Sequence, residues 1–126
     1  MGGAHRLGRH VSRTEENRSM TRQQRASQIW ALLICAARER KTFTYGDIAT
    51  ILGYGGAGVL SQTLELIMRY CHANQLPPLT VLVVNQETGL PGEGLTTVEE
   101  VNQDRETVFR FNWFSLEPPQ NVDFAA

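Results

Sequence analysis

Apolar residues recur every three or four positions in several parts of the chain, a spacing typical of one face of an α-helix. The clearest part extends from about residue 21 to residue 40. Its apolar positions are Ile29, Trp30, Leu32, Leu33, Ala36 and Ala37. Another part reaches about residue 74, and its inner positions are Leu60, Leu64, Ile67 and Cys71. The pattern predicts two long helices, the first and third of the chain, each with one buried face.

A short second helix is predicted between these two by its end signals. Thr44 is a suitable N-cap, and Asp47 lies three residues later, where the acid of a capping box belongs. Tyr45 falls in the first turn, and Gly53 ends the helix. The glycine-rich turn that follows, residues 53–58, supplies positions that tolerate positive φ. Two helices joined in this way serve DNA binding in some proteins and plain packing in others.

A fourth helix is predicted nearer the C-terminus. Thr97 and Glu100 form a second capping-box pair. The apolar positions that follow are Val98, Val101 and Val108. The aromatic run FRFNWF, residues 109–114, either finishes this helix or forms a short strand. Residues 117–126, with two prolines, are predicted to be a loose tail.

One main strand is predicted after Pro77 and Pro78. The run LTVLVV, residues 79–84, is continuously apolar and rich in β-branched residues, which predicts a strand buried on both faces. The next segment, NQETGLPGEG, predicts a turn or loop over residues 85–94. Together the elements predict a small α+β fold that is mostly helical, with a short buried strand or small sheet.

Length and composition fit one domain. A chain of 126 residues, 41% hydrophobic and 20% charged, suits a single compact core. We assign residues 21–116 to it, between an N-terminal arm (1–20) and the C-terminal tail (117–126). No apolar run approaches the roughly 20 residues of a membrane span, and the N-terminus lacks the apolar stretch of a signal peptide. The expectation is a cytoplasmic protein without membrane contact.

Charge is distributed unevenly along the chain. Residues 1–25 hold six arginines and two glutamates, a net +4, whereas the remainder holds six basic and eleven acidic residues, a net −5. The six arginines are Arg6, Arg9, Arg13, Arg18, Arg22 and Arg25. A disordered basic arm binds nucleic acid through phosphate contacts in some proteins and is only a solvated terminus in others. Composition leaves both interpretations open.

Few side chains suggest catalysis or metal binding. Cys35 and Cys71 lie at apolar helix positions and are predicted to be reduced core residues. A cluster of cations lies at the end of the first helix, at Arg38, Arg40 and Lys41. Their charge either interacts favourably with the helix dipole or binds phosphate. Since no metal-ligand spacing, cofactor motif or activated nucleophile is recognisable, the sequence predicts no metal, no cofactor and no catalytic residue.

Several motifs together resemble one known family. They are the run IWALL from Ile29, the run TYGDIA from Thr44, the run AGVLSQTL from Ala57 and the run PPLTVLVVN from Pro77. In kind and order they resemble the C-terminal DNA-binding domain of alkylguanine-DNA alkyltransferases and alkyltransferase-like proteins, over about residues 29–94. The resemblance implies a winged-helix-like domain whose third helix enters the minor groove of DNA. It also implies a tyrosine that helps rotate a damaged base out of the stack and an arginine that fills the gap.

The residues that would handle a flipped base match unevenly. Tyr45 lies at the tyrosine position. Val59, beside Gly58, lies where the arginine is expected, and neither residue can fill the gap as a guanidinium does.

The pocket positions of the family are also changed. With Pro78 as the motif proline, Leu79 takes the position of the nucleophilic cysteine and Thr80 that of the histidine. Alkyl transfer needs an activated thiolate, which this motif does not supply. The resemblance therefore implies recognition of damage without repair.

The sequence accordingly predicts a non-enzymatic DNA-binding protein of alkyltransferase-like type. The predicted DNA-contacting residues are Tyr45, Gly58, Val59, Ser61, Gln62 and Arg69. Arg69 is the only basic residue of the third helix and Glu65 its only acidic one, so that helix offers little charge for phosphates. The alternative is a protein-interaction or regulatory module on the same scaffold, which contacts a partner chain through its acidic body and the Leu-Pro-Pro-Leu segment.

Overall fold

The structure is a computed structural model that describes residues 20–53, 60–91 and 98–124. Within these ranges the helices are α1 (Arg22–Arg38), α2 (Tyr45–Leu52), α3 (Leu60–Ala73) and α4 (Val98–Arg110). The strands β1 (Phe43–Thr44) and β2 (Val83–Val84) have two residues each. Three 3₁₀ helices complete the order, at Leu79–Leu82, Trp113–Ser115 and Asn121–Phe124.

The two strands form a parallel pair. Phe43 lies opposite Val83 and Thr44 opposite Val84. Both residues of β2 are buried, whereas those of β1 are half-buried. The prediction of a small α+β fold, mostly helical with a short buried strand, is confirmed.

Both ends of α2 lie where the sequence signals predict them. The Thr44 hydroxyl accepts from the Asp47 backbone N–H at 3.0 Å, and the Asp47 carboxylate accepts from the Thr44 N–H at 3.2 Å. Gly53 ends the helix in the left-handed region, with φ of 78°. The other predicted capping box includes Thr97, which lies outside the described residues, as does the turn at residues 54–59.

The long helices α1 and α3 end without glycine. Arg40 and Gln75 have φ of 57° and 58° and occupy the left-handed position after each helix. In both cases the next N–H reaches back to a carbonyl of the last turn, Lys41 to Ala36 at 2.9 Å and Leu76 to Cys71 at 2.8 Å. These are Schellman motifs in which the usual glycine is replaced by a larger residue.

The core is built around α1, which packs against α3, α4 and all three described 3₁₀ helices. Trp30 is central, because its ring makes edge contacts with Tyr70 at 5.5 Å and with Trp113 at 5.6 Å between centroids. The Trp113 indole N–H donates to the Val108 carbonyl at 2.8 Å, which satisfies the polar atom of a buried side chain. The core therefore joins the first and last described parts of the chain.

The predicted strand is shorter than expected, and the aromatic run forms no strand. The prediction of a strand over residues 79–84 is wrong for its first four positions, because Leu79–Leu82 form a 3₁₀ turn in which the Val81 N–H donates to the Pro78 carbonyl at 3.0 Å. Burial was predicted correctly, since Leu79 and residues 81–84 are buried. In the aromatic run, residues 109 and 110 finish α4 and the strand alternative is wrong.

The C-terminal segment ends in a docked 3₁₀ turn, so the prediction of a loose tail is wrong for residues 121–124. Phe124 is 1% exposed and lies between Trp30 and Tyr70, with centroid distances of 6.1 and 5.3 Å. The Ser27 hydroxyl also contacts Asn121 Oδ1 at 2.5 Å. We call Asn121–Phe124 the closing turn.

Two residues differ from their predicted environment. Cys71 is buried as expected, but Cys35 is exposed, so the assignment of both thiols to the core is wrong. Arg25, counted with the basic N-terminus, is instead 5% exposed within α1. Residues 1–19 of the proposed arm lie outside the described residues.

Candidate nucleic-acid interface

Tyr45 is held by the capped start of α2. It is the first residue of that helix, directly after the N-cap Thr44. Its ring is half-buried and packs against the hydrophobic core. The position therefore combines a fixed backbone with partial exposure, and it has a structural role whether or not it contacts a base.

The predicted contact residues of α3 share its outer face. Ser61, Gln62 and Arg69 are exposed. The opposite face is buried, and its residues are Leu60, Thr63, Leu64, Leu66, Ile67 and Cys71. The inner face therefore packs against the core, and the outer face is left exposed to solvent.

The charge of Arg69 is balanced within α3. Its Nη2 donates to Glu65 Oε2 at 3.1 Å, one helical turn away, and both side chains are about half exposed. Such exposed pairs contribute little stability, about 0.3–0.5 kcal/mol. The pair nevertheless reduces the positive potential that α3 offers to phosphates.

Gly58 and Val59 lie outside the described residues. They belong to the connection between Gly53, where α2 ends, and Leu60, where α3 begins. The structure therefore brings together Ser61, Gln62 and Arg69 on one helix.

The three predicted pocket residues, 78–80, lie in different environments. Leu79 is fully buried in the core, Thr80 is half-buried and Pro78 is exposed. The 3₁₀ turn that begins at Leu79 turns this apolar side chain inward, so the position that resembles the nucleophile faces the core instead of solvent.

A thiol does lie beside that position. Cys71, on α3, interacts with the Leu79 backbone by a hydrogen bond, and its side chain is 2% exposed. Burial raises the pKa of the Cys71 thiol to about 11. This direction is opposite to the one that activates a nucleophilic cysteine.

Two of the three cations at the end of α1, Arg40 and Lys41, are paired with carboxylates. Arg40 Nη2 contacts both carboxylate oxygens of Glu106 at 2.7 and 2.8 Å, and Arg110 Nε donates to the same carboxylate at 2.9 Å. Hydrogen bonds from Arg40 and Arg110 lower the pKa of Glu106. Lys41 pairs with Glu39 at 3.2 Å. A bare phosphate site at Arg40 and Lys41 is therefore less well supported than a structural network that joins α1 to α4.

Next to this network is a cleft of about 460 Å³, which we call the aromatic cleft. Its lining residues are Ile34, Arg38, Phe109, Arg110, Phe111, Asn112, Trp113 and Phe114. The Arg38 guanidinium carbon lies over the Phe114 ring at 5.4 Å from the centroid. Sequence reasoning missed this site, although the run FRFNWF carried its main signal.

A second cleft, of about 320 Å³, lies between α3 and the closing turn. Its lining residues are Leu66, Arg69, Tyr70, Ala73, Asn74, Asp123 and Phe124. Burial and the nearby charge of Asp123 raise the pKa of Tyr70. Sequence reasoning missed this cleft as well, because it depends on the packing of residues far apart in the chain.

The described residues contain no group of three histidine, cysteine, aspartate or glutamate side chains that could hold a metal ion. No helix in the same ranges combines the length and the apolar character that crossing a bilayer requires.

Comparisons of the chain with models of known protein families, with curated proteins and with solved structures found no match.

Proposed function

We propose that the chain is a non-enzymatic DNA-binding protein of alkyltransferase-like type, with a winged-helix-like fold and a cytoplasmic location. In this proposal α3 contacts duplex DNA through Ser61 and Gln62, and Tyr45 contacts an altered or flipped base. The observation that carries the proposal is the outer face of α3, where short polar side chains are exposed on a helix anchored by its buried face.

The order of elements supports the proposal. A helix that contains Trp30, a capped helix that begins at Tyr45, a third helix from Leu60 and a segment ending in the strand Val83–Val84 follow one another in the order that the resemblance implies. This order of elements is observed among the described residues, and it supports the proposal in addition to the sequence motifs.

The surroundings of the pocket position support a role without catalysis. Leu79 has no reactive group, and the neighbouring Cys71 thiol is buried with a raised pKa. A thiolate is the species that would accept an alkyl group, and burial disfavours it here. Recognition of damage without repair is the role consistent with these residues.

Charge indicates that the domain alone binds DNA weakly. The Arg69 charge is balanced by Glu65, so phosphate contacts would have to come mainly from arginines of the arm. In the proposal the arm supplies salt-sensitive affinity, and Tyr45 and Gln62 supply preference for the altered base.

The test is fluorescence anisotropy of labelled duplexes, undamaged and carrying an alkylated guanine, at two salt concentrations. The variants are Tyr45→Phe, Tyr45→Ala, Gln62→Ala, and a full chain with Arg6, Arg9, Arg13 and Arg18 changed to glutamine. Gln103→Ala, on the exposed surface of α4, is the matched control for Gln62→Ala. We expect Gln62→Ala to weaken binding about fivefold or more, which corresponds to about 1 kcal/mol.

Preference for the alkylated duplex should be lost in Tyr45→Ala and kept in the arginine-substituted arm. Tyr45→Phe keeps the ring and its packing, so a difference between the two Tyr45 variants separates ring contact from the hydroxyl. Two results together would contradict the proposal: loss of all binding when the four arm arginines are changed to glutamine, and equal DNA affinity of Gln62→Ala and Gln103→Ala. The helix pair would then have no specific role in DNA binding.

A protein-interaction module is the second candidate, favoured by apolar side chains exposed on the helix pair. Ile51 on α2 is 53% exposed and Met68 on α3 is 50% exposed. Of the Leu-Pro-Pro-Leu segment, Leu79 is buried and does not present an apolar contact. Absence of specific DNA binding in the experiment above, together with loss of a partner in Ile51→Ser or Met68→Ser, would favour this candidate.

A further inference from the structure

We propose that the aromatic cleft binds unpaired nucleotides of a single-stranded nucleic acid. The cleft is formed by the last turns of α1 and α4 and by the 3₁₀ helix Trp113–Ser115. No residue of α3 lines it. This site is therefore separate from the duplex contact proposed for α3, and it can be tested separately.

Aromatic surface is the first feature that selects such a ligand. Phe114 is 49% exposed although it is large and apolar. Phe111 and Trp113 also line the cleft, with 4.6 Å between their ring centroids, but Phe111 is half-buried and Trp113 is only 3% exposed. Nucleic-acid bases stack on an exposed ring such as that of Phe114, and the contact tolerates any base because every base has a π-face.

Charge is the second feature. The lining residues include two arginines and no carboxylate. Of the described residues, no acid forms an ion pair with Arg38, whereas Arg110 shares Glu106 with Arg40. The chain as a whole is slightly acidic, with a net charge of −1. A local excess of positive charge on this surface is complementary to an anionic ligand.

Together, the two features favour nucleotides over acidic peptides. An acidic peptide would use the arginines but does not require an exposed ring face, whereas a nucleotide uses both through its phosphate and its base. The volume of about 460 Å³ lies in the range of small-ligand pockets. Arg38, with its guanidinium over Phe114, offers a stacking plane and a phosphate donor at one point.

The test uses the full chain and a labelled ten-nucleotide oligothymidine in fluorescence anisotropy at several salt concentrations. A strand with the same number of phosphates but no bases is the matched ligand control. The cleft variants are Phe114→Ala, Phe114→Trp and Arg38→Gln. The control variants are Val122→Ala, an exposed apolar residue outside the cleft, and Arg22→Gln, an exposed arginine of α1 outside the cleft.

Phe114→Ala should weaken oligothymidine binding about 5- to 150-fold, the range of one stacked base, and Phe114→Trp should restore it. Arg38→Gln should make the negative slope of log affinity against log salt about 0.7 less steep, the share of one phosphate contact on a single strand. Both control variants should bind as the unchanged chain does. The arm is the same in every variant, so its contribution cancels.

The abasic strand gives the decisive comparison. It should bind more weakly than oligothymidine and be insensitive to Phe114→Ala. Equal binding of the two strands, or equal loss in Phe114→Ala and Val122→Ala, would overturn the proposal, because binding would then be electrostatic only.

An acidic peptide is the competing occupant. A glutamate-rich peptide with one phenylalanine, matched in charge to the oligonucleotide, is titrated against the same variants. Binding of this peptide that depends on Phe114, without such binding of oligothymidine, would assign the cleft to a protein partner and would also overturn the proposal.

The two proposals fail in different ways. If Gln62→Ala does not weaken duplex binding, the proposal for α3 fails but the oligothymidine result still stands. If Phe114→Ala does not weaken oligothymidine binding, the proposal for the aromatic cleft fails but the duplex result still stands. Backbone chemical shifts measured with oligothymidine should change at Arg38 and Phe114 and stay constant at Gln62.

Discussion

The guanidinium of Arg25 is held between two helices. Its Nη1 donates to the Leu52 carbonyl at 2.8 Å and to Gln28 Oε1 at 3.0 Å. Leu52 is the last residue of α2, so its carbonyl accepts no hydrogen bond from within that helix. Arg25 supplies the missing hydrogen bond and connects the end of α2 to α1. A buried charge with such partners is a structural residue and is withdrawn from the basic surface.

The two cysteines differ in the exposure of their thiols. Cys35 is exposed on α1, whereas Cys71 is buried with its pKa raised to about 11. We expect a disulfide reagent that releases a coloured thiol to modify Cys35 rapidly at neutral pH. Cys71 should react only when the chain unfolds, because its thiolate is rare and inaccessible. Rapid reaction of two thiols in the folded chain would contradict this.

The raised pKa of Cys71 also makes stability depend on pH. The unfolded chain loses this proton near pH 9 and the folded chain near pH 11, so the unfolded state binds fewer protons in between. The free energy of unfolding should therefore fall as pH rises from about 9 to about 11, by about 2–3 kcal/mol at most. Urea unfolding at several pH values measures this loss, and Cys71→Ala should remove the part due to the thiol.

At this scale the sequence predicted residue environments only in part. Cys35 lies in a continuous apolar run, so apolar side chains occur on every side of this part of α1. Only the packing of neighbouring elements decides which side is covered. Arg25 follows five other arginines, and its burial depends on Leu52, which lies 27 positions later. The charge of a residue does not reveal such a partner.

Helix ends are the level at which sequence prediction and structure agree best. A cap is local, since Thr44 and Asp47 are three residues apart and find each other without the rest of the fold. The run at residues 79–84 shows the opposite case. Its continuous apolar character predicts burial, which is confirmed, but the backbone conformation follows from Pro78 and the turn it begins. Apolar runs of this length fit several conformations.

The left-handed end of α3 offers a stability prediction. Gln75 is exposed and has φ of 58°, a conformation that costs a residue with a side chain about 1–2 kcal/mol. Gln75→Gly should therefore raise the free energy of unfolding by about 0.5–1 kcal/mol, after the greater freedom of glycine in the unfolded chain is subtracted. Urea unfolding followed by circular dichroism measures the difference.

Gly53→Ala is the reverse control for this prediction. Gly53 has φ of 78° at the end of α2, so alanine there should lower stability by about 1 kcal/mol. Lower stability of Gln75→Gly would mean that the side chain of Gln75 contributes more than its strained backbone costs.

For the whole molecule, the closing turn completes the core. Phe124 is 1% exposed and contacts the rings of Trp30 and Tyr70. Phe124→Ala should lower the free energy of unfolding by about 3–5 kcal/mol, because a buried ring is replaced by a cavity. Val122→Ala is the control in the same turn, and since Val122 is 73% exposed we expect a change within about 0.5 kcal/mol. Equal effects of both substitutions would mean that the turn is not docked.

The sequence did not reveal this contact. Residues 117–126 contain two prolines and few apolar side chains, which is the composition of a tail. A single phenylalanine gives no periodicity, and its destination lies on helices formed by much earlier residues. The same limit applies to the aromatic cleft, whose rings were visible in the sequence while Arg38 and Ile34 were not assigned to them.

The separation between Ser27 and Asn121, 94 positions along the chain, has a kinetic consequence. Closing so long a loop costs entropy that only an already ordered partner surface repays. We expect α1 and α3 to associate first and the closing turn to dock late. In that case Phe124→Ala accelerates unfolding and leaves the refolding rate nearly unchanged in stopped-flow measurements, whereas slower refolding would place the turn in the folding nucleus.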